Sequence, residues 1–281
     1  MLCSAVLAND QWTRIVPSAD VELRDPRSIS VSREGLIYIA DTGHNRVIAV
    51  DTTGHLIAET GGFGSGHGQF QWPRIVVADQ GNAVWVMDYG NRRIEKFTRL
   101  LEYQGTLEIT VSGDETKRQP EALATSPQGD VFVFDRDGSR IIRYDPLFRP
   151  QAELGSGSGS QFVSNIAAMT FLLGKGLFWW TRNSKEIGRT DPLLNPLPPL
   201  RLEKSPIDLI LADADTCLLY GTIHGIVRWC DLARCDTLIS ADEMTNVPIR
   251  QLKSLAIATN GDLYLLDGRE KAIYRMRTGR E

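Results

Sequence analysis

Nowhere does the chain hold an apolar run approaching the roughly 20 residues that a membrane-crossing helix needs, so the body of it is expected to be soluble. A basic surplus is also missing. The 31 Lys and Arg face 35 Asp and Glu, for a formal charge of −4, and the basic residues are scattered. That gives no electropositive footprint for a phosphate backbone, and nucleic acid is not an expected partner. Histidine and cysteine are scarce, with four of each. What the chain does have is 42% hydrophobic residues over 281 positions, enough to bury a large core in one closed all-β domain.

One stretch looks at first like a phosphate-cradling loop: "GGFGSGHGQFQWPRIVV", residues 61–77. Such a loop needs a helix behind it, because helix N-terminal amides bind the anion. Here Arg74 to Ala78, the turn Asp79-Gln80-Gly81-Asn82, and Ala83 to Met87 read instead as strand, turn and strand with no helical period. The glycines punctuate something larger.

That larger unit is a repeat. "DPRSISVSREGLIYIADTGHNRVIAVDTTG", "WPRIVVADQGNAVWVMDYGNRRIEKFTRLL" and "QPEALATSPQGDVFVFDRDGSRIIRYDPLF" align without gaps from Asp25, Trp72 and Gln119, an even spacing of 47 residues. Each carries a Pro, an apolar run, a Gly turn, and a second apolar run ending in Asp (Asp41, Asp88, Asp135). A polar turn with Arg (Arg46, Arg93, Arg140) and a third strand follow. The Asp position recurs as Thr181, Gly221 and Asp267, at intervals of 46, 40 and 46. Six units result, and the last lacks a fourth strand. "QWTRIVP", residues 11–17, precedes the first unit and is expected to supply it, which removes the open edge of a ring of sheets.

These residues resemble the NHL repeat family. The pattern "IYIADTGHNRVIAVDTTGHLI" followed by the glycine-rich connector is close to the family's repeat; the likeness is strong over residues 24–157, faint over 162–242, and returns in "NGDLYLLDGREKAIYRM". The resemblance implies a six-bladed β-propeller of four-stranded antiparallel blades. The expected blades are 24–70, 71–118, 119–161, 162–204, 205–249 and 250–281, with a closing strand in 11–23. Prolines in "NPLPPL" suit an outer edge strand, where an outward N–H is not needed.

Asp41, Asp88, Asp135 and Asp267 are expected to be structural, each carboxylate holding amides of the following turn with the Arg against it. Function in a propeller collects where the starts of the inner strands meet the loops between second and third strands, over the central channel. Those positions offer Arg27, Arg74, Tyr89, Arg136, Arg182 and Lys253. Clustered guanidiniums beside a Tyr suit a carboxylate, a sulfate or an acidic peptide.

Enzymatic alternatives arise from the resemblance. Peptide-amidating lyases of the family hold zinc with channel histidines, but His44, His55, His67 and His224 all lie away from inner-strand starts. Gluconolactonase-like propellers hold a divalent cation with Glu, Asn and Asp at the channel mouth; Glu121, Asn165 and Asp208 fall near comparable positions, and oxygen ligands of this kind suit calcium or magnesium. Tripartite-motif relatives bind RNA through a basic face, which the acidic balance here does not match. The expectation is therefore a monomeric, non-catalytic module without a cofactor that binds a protein, peptide or glycan ligand, of the kind found as standalone bacterial NHL proteins. "MLCSAVLAND" resembles the tail of a signal peptide and suggests a periplasmic or secreted protein. Cys230 can pair with Cys235 or Cys217 in an oxidising compartment, or all can stay reduced.

Overall fold

A computed structural model describes residues 12–16, 18, 21–110, 116–155, 163–182, 184–202 and 249–277 with their side chains, and the strands at 206–212, 218–222, 225–230 and 234–240 as backbone. The signal-like residues 1–10, Cys217 and His224 lie outside the described residues.

Alternation of apolar and polar positions, cut by Gly and Asp turns, makes the chain fold as an all-β propeller of four-stranded antiparallel blades. The inner strands are Pro26–Val31, Pro73–Ala78, Pro120–Thr125, Ile166–Leu172, Pro206–Ala212 and Leu252–Ile257. The second strands are Ile37–Asp41, Ala83–Asp88, Val131–Asp135, Gly176–Thr181, Leu218–Thr222 and Leu263–Asp267. Third strands follow at Arg46–Val50, Arg93–Thr98, Arg140–Tyr144, Glu186–Thr190, Gly225–Cys230 and Ala272–Met276. The outer strands are Leu56–Gly61, Tyr103–Leu107, Pro150–Leu154, Pro196–Arg201 and Arg234–Ser240, and Trp12–Val16 pairs with Ala272–Met276. Strand pairing thus forms six four-stranded sheets; five are described to the side chain and the sheet over 206–240 by backbone alone. No helix among the described residues is long and apolar enough to cross a membrane.

The second strands are buried on both faces, as in Ile37–Asp41, where every residue is inaccessible. Alternate residues of one strand serve two cores. Ile37 and Ile39 pack with Tyr264, Leu266 and Ile273 of the last blade, while Tyr38 and Ala40 pack with Val84, Val86 and Phe97 of the second. Each core is thus a sandwich between neighbouring blades, which is why these strands read as continuous apolar runs.

Ring closure has a further device. The buried Ile29 N–H donates to Ser254 Oγ at 3.1 Å, and the Val76 and Ala78 N–H groups donate to Ser28 Oγ and Ser30 Oγ at 3.3 and 3.0 Å. Inner-strand amides that have no partner within their own sheet are satisfied by hydroxyls of the preceding blade.

The repeated Asp does more than cap its turn. Asp41 is fully buried; its Oδ2 takes Arg46 Nε at 2.8 Å and its Oδ1 takes the Arg24 N–H at 2.7 Å. The same amide, 17 residues upstream, reaches Asp88 from Gln71 and Asp267 from Arg250. Each carboxylate therefore locks the chain entering the inner strand to the end of the second strand, a contact the local turn pattern does not reveal. In the third blade Asp137 takes the Gln119 amide at 2.9 Å, while Asp135 holds Gly138 and Arg140.

The glycine-rich connector is fully occupied with itself and its blade. Gly68 N–H donates to the buried Glu95, Gly66 N–H to Gln69 Oε1, and Arg93 donates to the carbonyls of Ser65, Gly66 and Gln69 at 2.7 to 2.8 Å. Amides already aimed at a carboxylate leave no cradle for phosphate. The cysteine strands show register only: Cys235 stands opposite Trp229 and Cys230 opposite Arg234.

Candidate functional site

In each of the five blades with described side chains, the pairing of the inner strand slips at its second residue. The slips fall between Pro26 and Ser28, Pro73 and Ile75, Pro120 and Ala122, Ile166 and Ala168, and Leu252 and Ser254. The residues left over are Arg27, Arg74, Glu121, Ala167 and Lys253. A bulge frees a side chain from the pleat and re-aims it, so the fold presents one re-aimed residue per blade at one end of the channel. Arg27, Arg74, Ala167 and Lys253 line a central cavity of about 610 Å³, together with inner-strand residues such as Ser30 and Ser254.

Second-to-third-strand turns add their own residues to this face. The Arg74 guanidinium carbon lies 3.3 Å from the centroid of the Tyr89 ring, and Arg136 Nη1 donates to the Tyr89 hydroxyl at 3.1 Å. Tyr89 thus joins the bulge of the second blade to the turn of the third. A guanidinium stacked flat on a ring keeps its in-plane N–H fork for a planar anion. Slight desolvation works against the Arg136 charge, but the Tyr89 hydroxyl and the carboxylates of Glu121 and Asp137 outweigh it and raise its pKa.

Arg182 Nη1 stands 3.8 Å from Glu121 Oε1, whose side chain is only 15% exposed. Arg27 binds Asp25 Oδ2 through Nε and Nη2 at 3.1 and 2.8 Å. The Lys253 stem lies over Gly268, where a Cβ would come within 2.4 Å of Lys253 Cγ. The predicted set therefore divides: Arg74, Tyr89 and Arg136 form one contact chain, Arg182 pairs with Glu121, and Arg27 and Lys253 border the cavity separately.

Of the alternative metal set, Asn165 is exposed with a left-handed backbone (φ 53°), and the Asp208 side chain lies outside the described residues. Glu121 faces Arg182 and feels Arg136, and two cations beside a carboxylate oppose a third. No group of three or more His, Cys, Asp or Glu side chains among the described residues is arranged to hold a metal. Among the histidines, His44 Nδ1 bonds Asp41 at 2.8 Å, His55 bonds Thr53 at 2.7 Å, and His67 stacks on Tyr103 at 4.3 Å.

Two rim residues escaped the sequence reading. Phe63 and Trp72 are 72% and 54% exposed, and both sit on the connector that ends at Arg74. The signal was in plain view as aromatics flanking the glycines.

Residues 23–49 match the NHL repeat model. This span holds the first inner strand, Asp41 and Arg46. No curated protein matches the chain. Among solved structures, a streptogramin B lyase superposes with a TM-score of 0.66 at 12% identity, covering 94% of this chain and 96% of that one. A catalytically inactive virginiamycin B lyase from Staphylococcus aureus with quinupristin gives 0.63 at 16% identity, covering 96% and 86%. U3-55K gives 0.63 at 12% identity, covering 95% and 98%. At such identities the likeness is one of fold, and function has to be argued from the site.

Proposed function

We propose that this NHL-repeat protein is a non-catalytic, six-bladed binding module whose channel mouth holds the acidic group of a peptide, glycan or smaller ligand. The count of six rests on the sheet over residues 206–240, whose inner strand packs between those at 166–172 and 252–257. One observation carries the binding reading: Arg74 lies on the Tyr89 face at 3.3 Å while Arg136 holds the hydroxyl of the same ring. Tyr89 fixes two guanidiniums in place, so little side-chain entropy is lost when an anion arrives. Arg182 and Arg27 stand on the same face, each beside a carboxylate, and Lys253 adds long-range attraction.

A screen of acidic oligopeptides and oligosaccharides by thermal shift tests the reading. Stabilisation by an acidic compound that disappears in Arg74→Ala and Arg136→Ala supports it. A compound that stabilises both variants as well as the parent places the site elsewhere.

The second reading is a hydrolase with calcium or magnesium at Glu121, Asn165 and Asp208, and the lyase neighbours keep an enzyme in view. The guanidiniums around Glu121 speak against a cation there. Elemental analysis before and after chelation separates the two: stoichiometric metal, with a melt lowered by chelator, favours the hydrolase.

A further inference from the structure

The two exposed aromatics of the connector are held in place by one side chain. Asn45, itself left-handed at φ 53°, accepts the Gly62 N–H on its carbonyl and the Trp72 N–H on Oδ1, both at 2.9 Å. Phe63 follows the first anchored residue and Trp72 is the second, so the ends of the loop hang from the same residue of the preceding blade. Phe63 also bridges Phe70, whose N–H donates to Gly62. Trp72 takes φ 58°, as Asp25 and Asn165 do at φ 46° and 53° just before the inner strands of the first and fourth blades, so the repeat's own backbone fixes where this ring stands. Trp85, Phe70 and Phe97 are by contrast inaccessible, and Tyr103 is 37% exposed. Two rings kept in water on the connector that leads to the bulged Arg74 call for an occupant.

We infer that the ligand is an acidic segment of a partner protein carrying one aromatic or aliphatic anchor, its carboxylates on Arg74 and Arg136 and its anchor against Phe63 and Trp72. This rests on the reading of Arg74 and Arg136 as an acid-binding pair. Trp, Tyr and Arg grouped at one rim form the composition that dominates protein interfaces. Phe63 offers only apolar surface, which suits an aliphatic or aromatic side chain as its occupant. Complementarity of charge supplies the rest, since the positive mouth prefers an acidic segment.

The test titrates synthetic Asp- and Glu-rich peptides with a central Trp, Phe or Leu, the same peptides with Ala there, and oligogalacturonate as an acidic glycan. Proteins are the parent, Phe63→Ser, Trp72→Gly and Arg74→Ala. Glycine accepts the left-handed backbone at 72, so Trp72→Gly keeps the fold while removing the ring, and its melt verifies this. The expected result is about tenfold tighter binding of anchored over Ala peptides, a preference that vanishes in Phe63→Ser and Trp72→Gly, with all peptide binding lost in Arg74→Ala. Equal binding of anchored and Ala peptides, or a preference that survives both ring variants, overturns the inference while leaving the acid-binding pair intact if Arg74→Ala still abolishes binding. Trp72-dependent binding of oligogalacturonate without an anchor preference overturns it in favour of a glycan. Peptide binding indifferent to Arg74→Ala, or none at all, overturns both readings.

Discussion

Arg74 lies over the Tyr89 ring with its guanidinium carbon 3.3 Å from the centroid, and the ring belongs to the turn that closes the same blade's second strand. The bulge at Arg74 and the Asp88 lock at Gln71 make this stack, because together they fix where the inner strand starts relative to that turn.

The stack distinguishes Arg from Lys. Arg74→Lys keeps the charge but loses the planar fork and the flat face, so binding of an acidic peptide is expected to be lost as it is in Arg74→Ala. Titration of both variants with one peptide checks this; full retention by Lys reduces the site to a diffuse positive field.

The repeated Asp residues differ in how deeply their partners are buried, and their removal is expected to follow that order. Asp88 and Arg93 have side-chain exposures of 0% and 6%, and Asp88→Ala leaves the buried Arg93 Nε and the Gln71 amide without their acceptor, while Glu95 and three carbonyls still hold the rest of the guanidinium. A loss of about 3–5 kcal/mol follows. Arg46 beside Asp41 is 21% exposed, so Asp41→Ala is expected to cost less, about 1–3 kcal/mol. Urea unfolding midpoints of the two variants measure the difference, and equal losses would contradict the ranking.

Glu95 makes stability depend on pH. Burial raises its pKa from 4.5 to about 7, against the lowering pull of Arg93 and with the help of Asp88. Between those values the folded chain binds a proton that the unfolded chain does not, so stability falls as pH rises from about 4.5 through about 7. Glu95→Gln removes the buried charge and is expected to gain on the order of 1–3 kcal/mol at pH 8 and little at pH 4.5. Unfolding of both proteins across this range checks the sign; a variant less stable than the parent at pH 8 would show that the Arg93 pair outweighs desolvation.

Ring closure is expected to depend on Ser254. Ser254→Ala leaves the buried Ile29 amide without its acceptor, a loss of about 1–3 kcal/mol. The corresponding positions in the second, third and fourth blades are Ile75, Ala122 and Ala168, where no hydroxyl exists to be lost. Thermal melts of Ser254→Ala and the parent check this loss, and an unchanged melt would contradict it.

The repeat made the blades legible because its signals are local: Asp41, Asp88 and Asp135 follow apolar runs whose length a strand fixes, and Pro26, Pro73 and Pro120 mark where the inner strands begin. The candidate positions were legible for the same reason, since register alone brings Arg27, Arg74 and Lys253 to one end of the channel. What register does not encode is the slip at each of those residues, a property of pairing between strands. Nor does it encode which guanidiniums touch. Arg182 reads in the sequence as another ligand donor, yet it faces Glu121, a residue of the neighbouring blade. The anchoring of Trp72 was hidden too, because the acceptor of its N–H is Asn45, 27 positions away.

Calorimetric titration of hexaglutamate into the parent and the Arg74→Ala/Arg136→Ala protein tests the channel mouth most directly. Saturable binding that weakens with added salt and falls at least about tenfold in the double variant is the predicted result. Binding of equal strength to both proteins, or none to the parent at low salt, would contradict an acid-binding mouth.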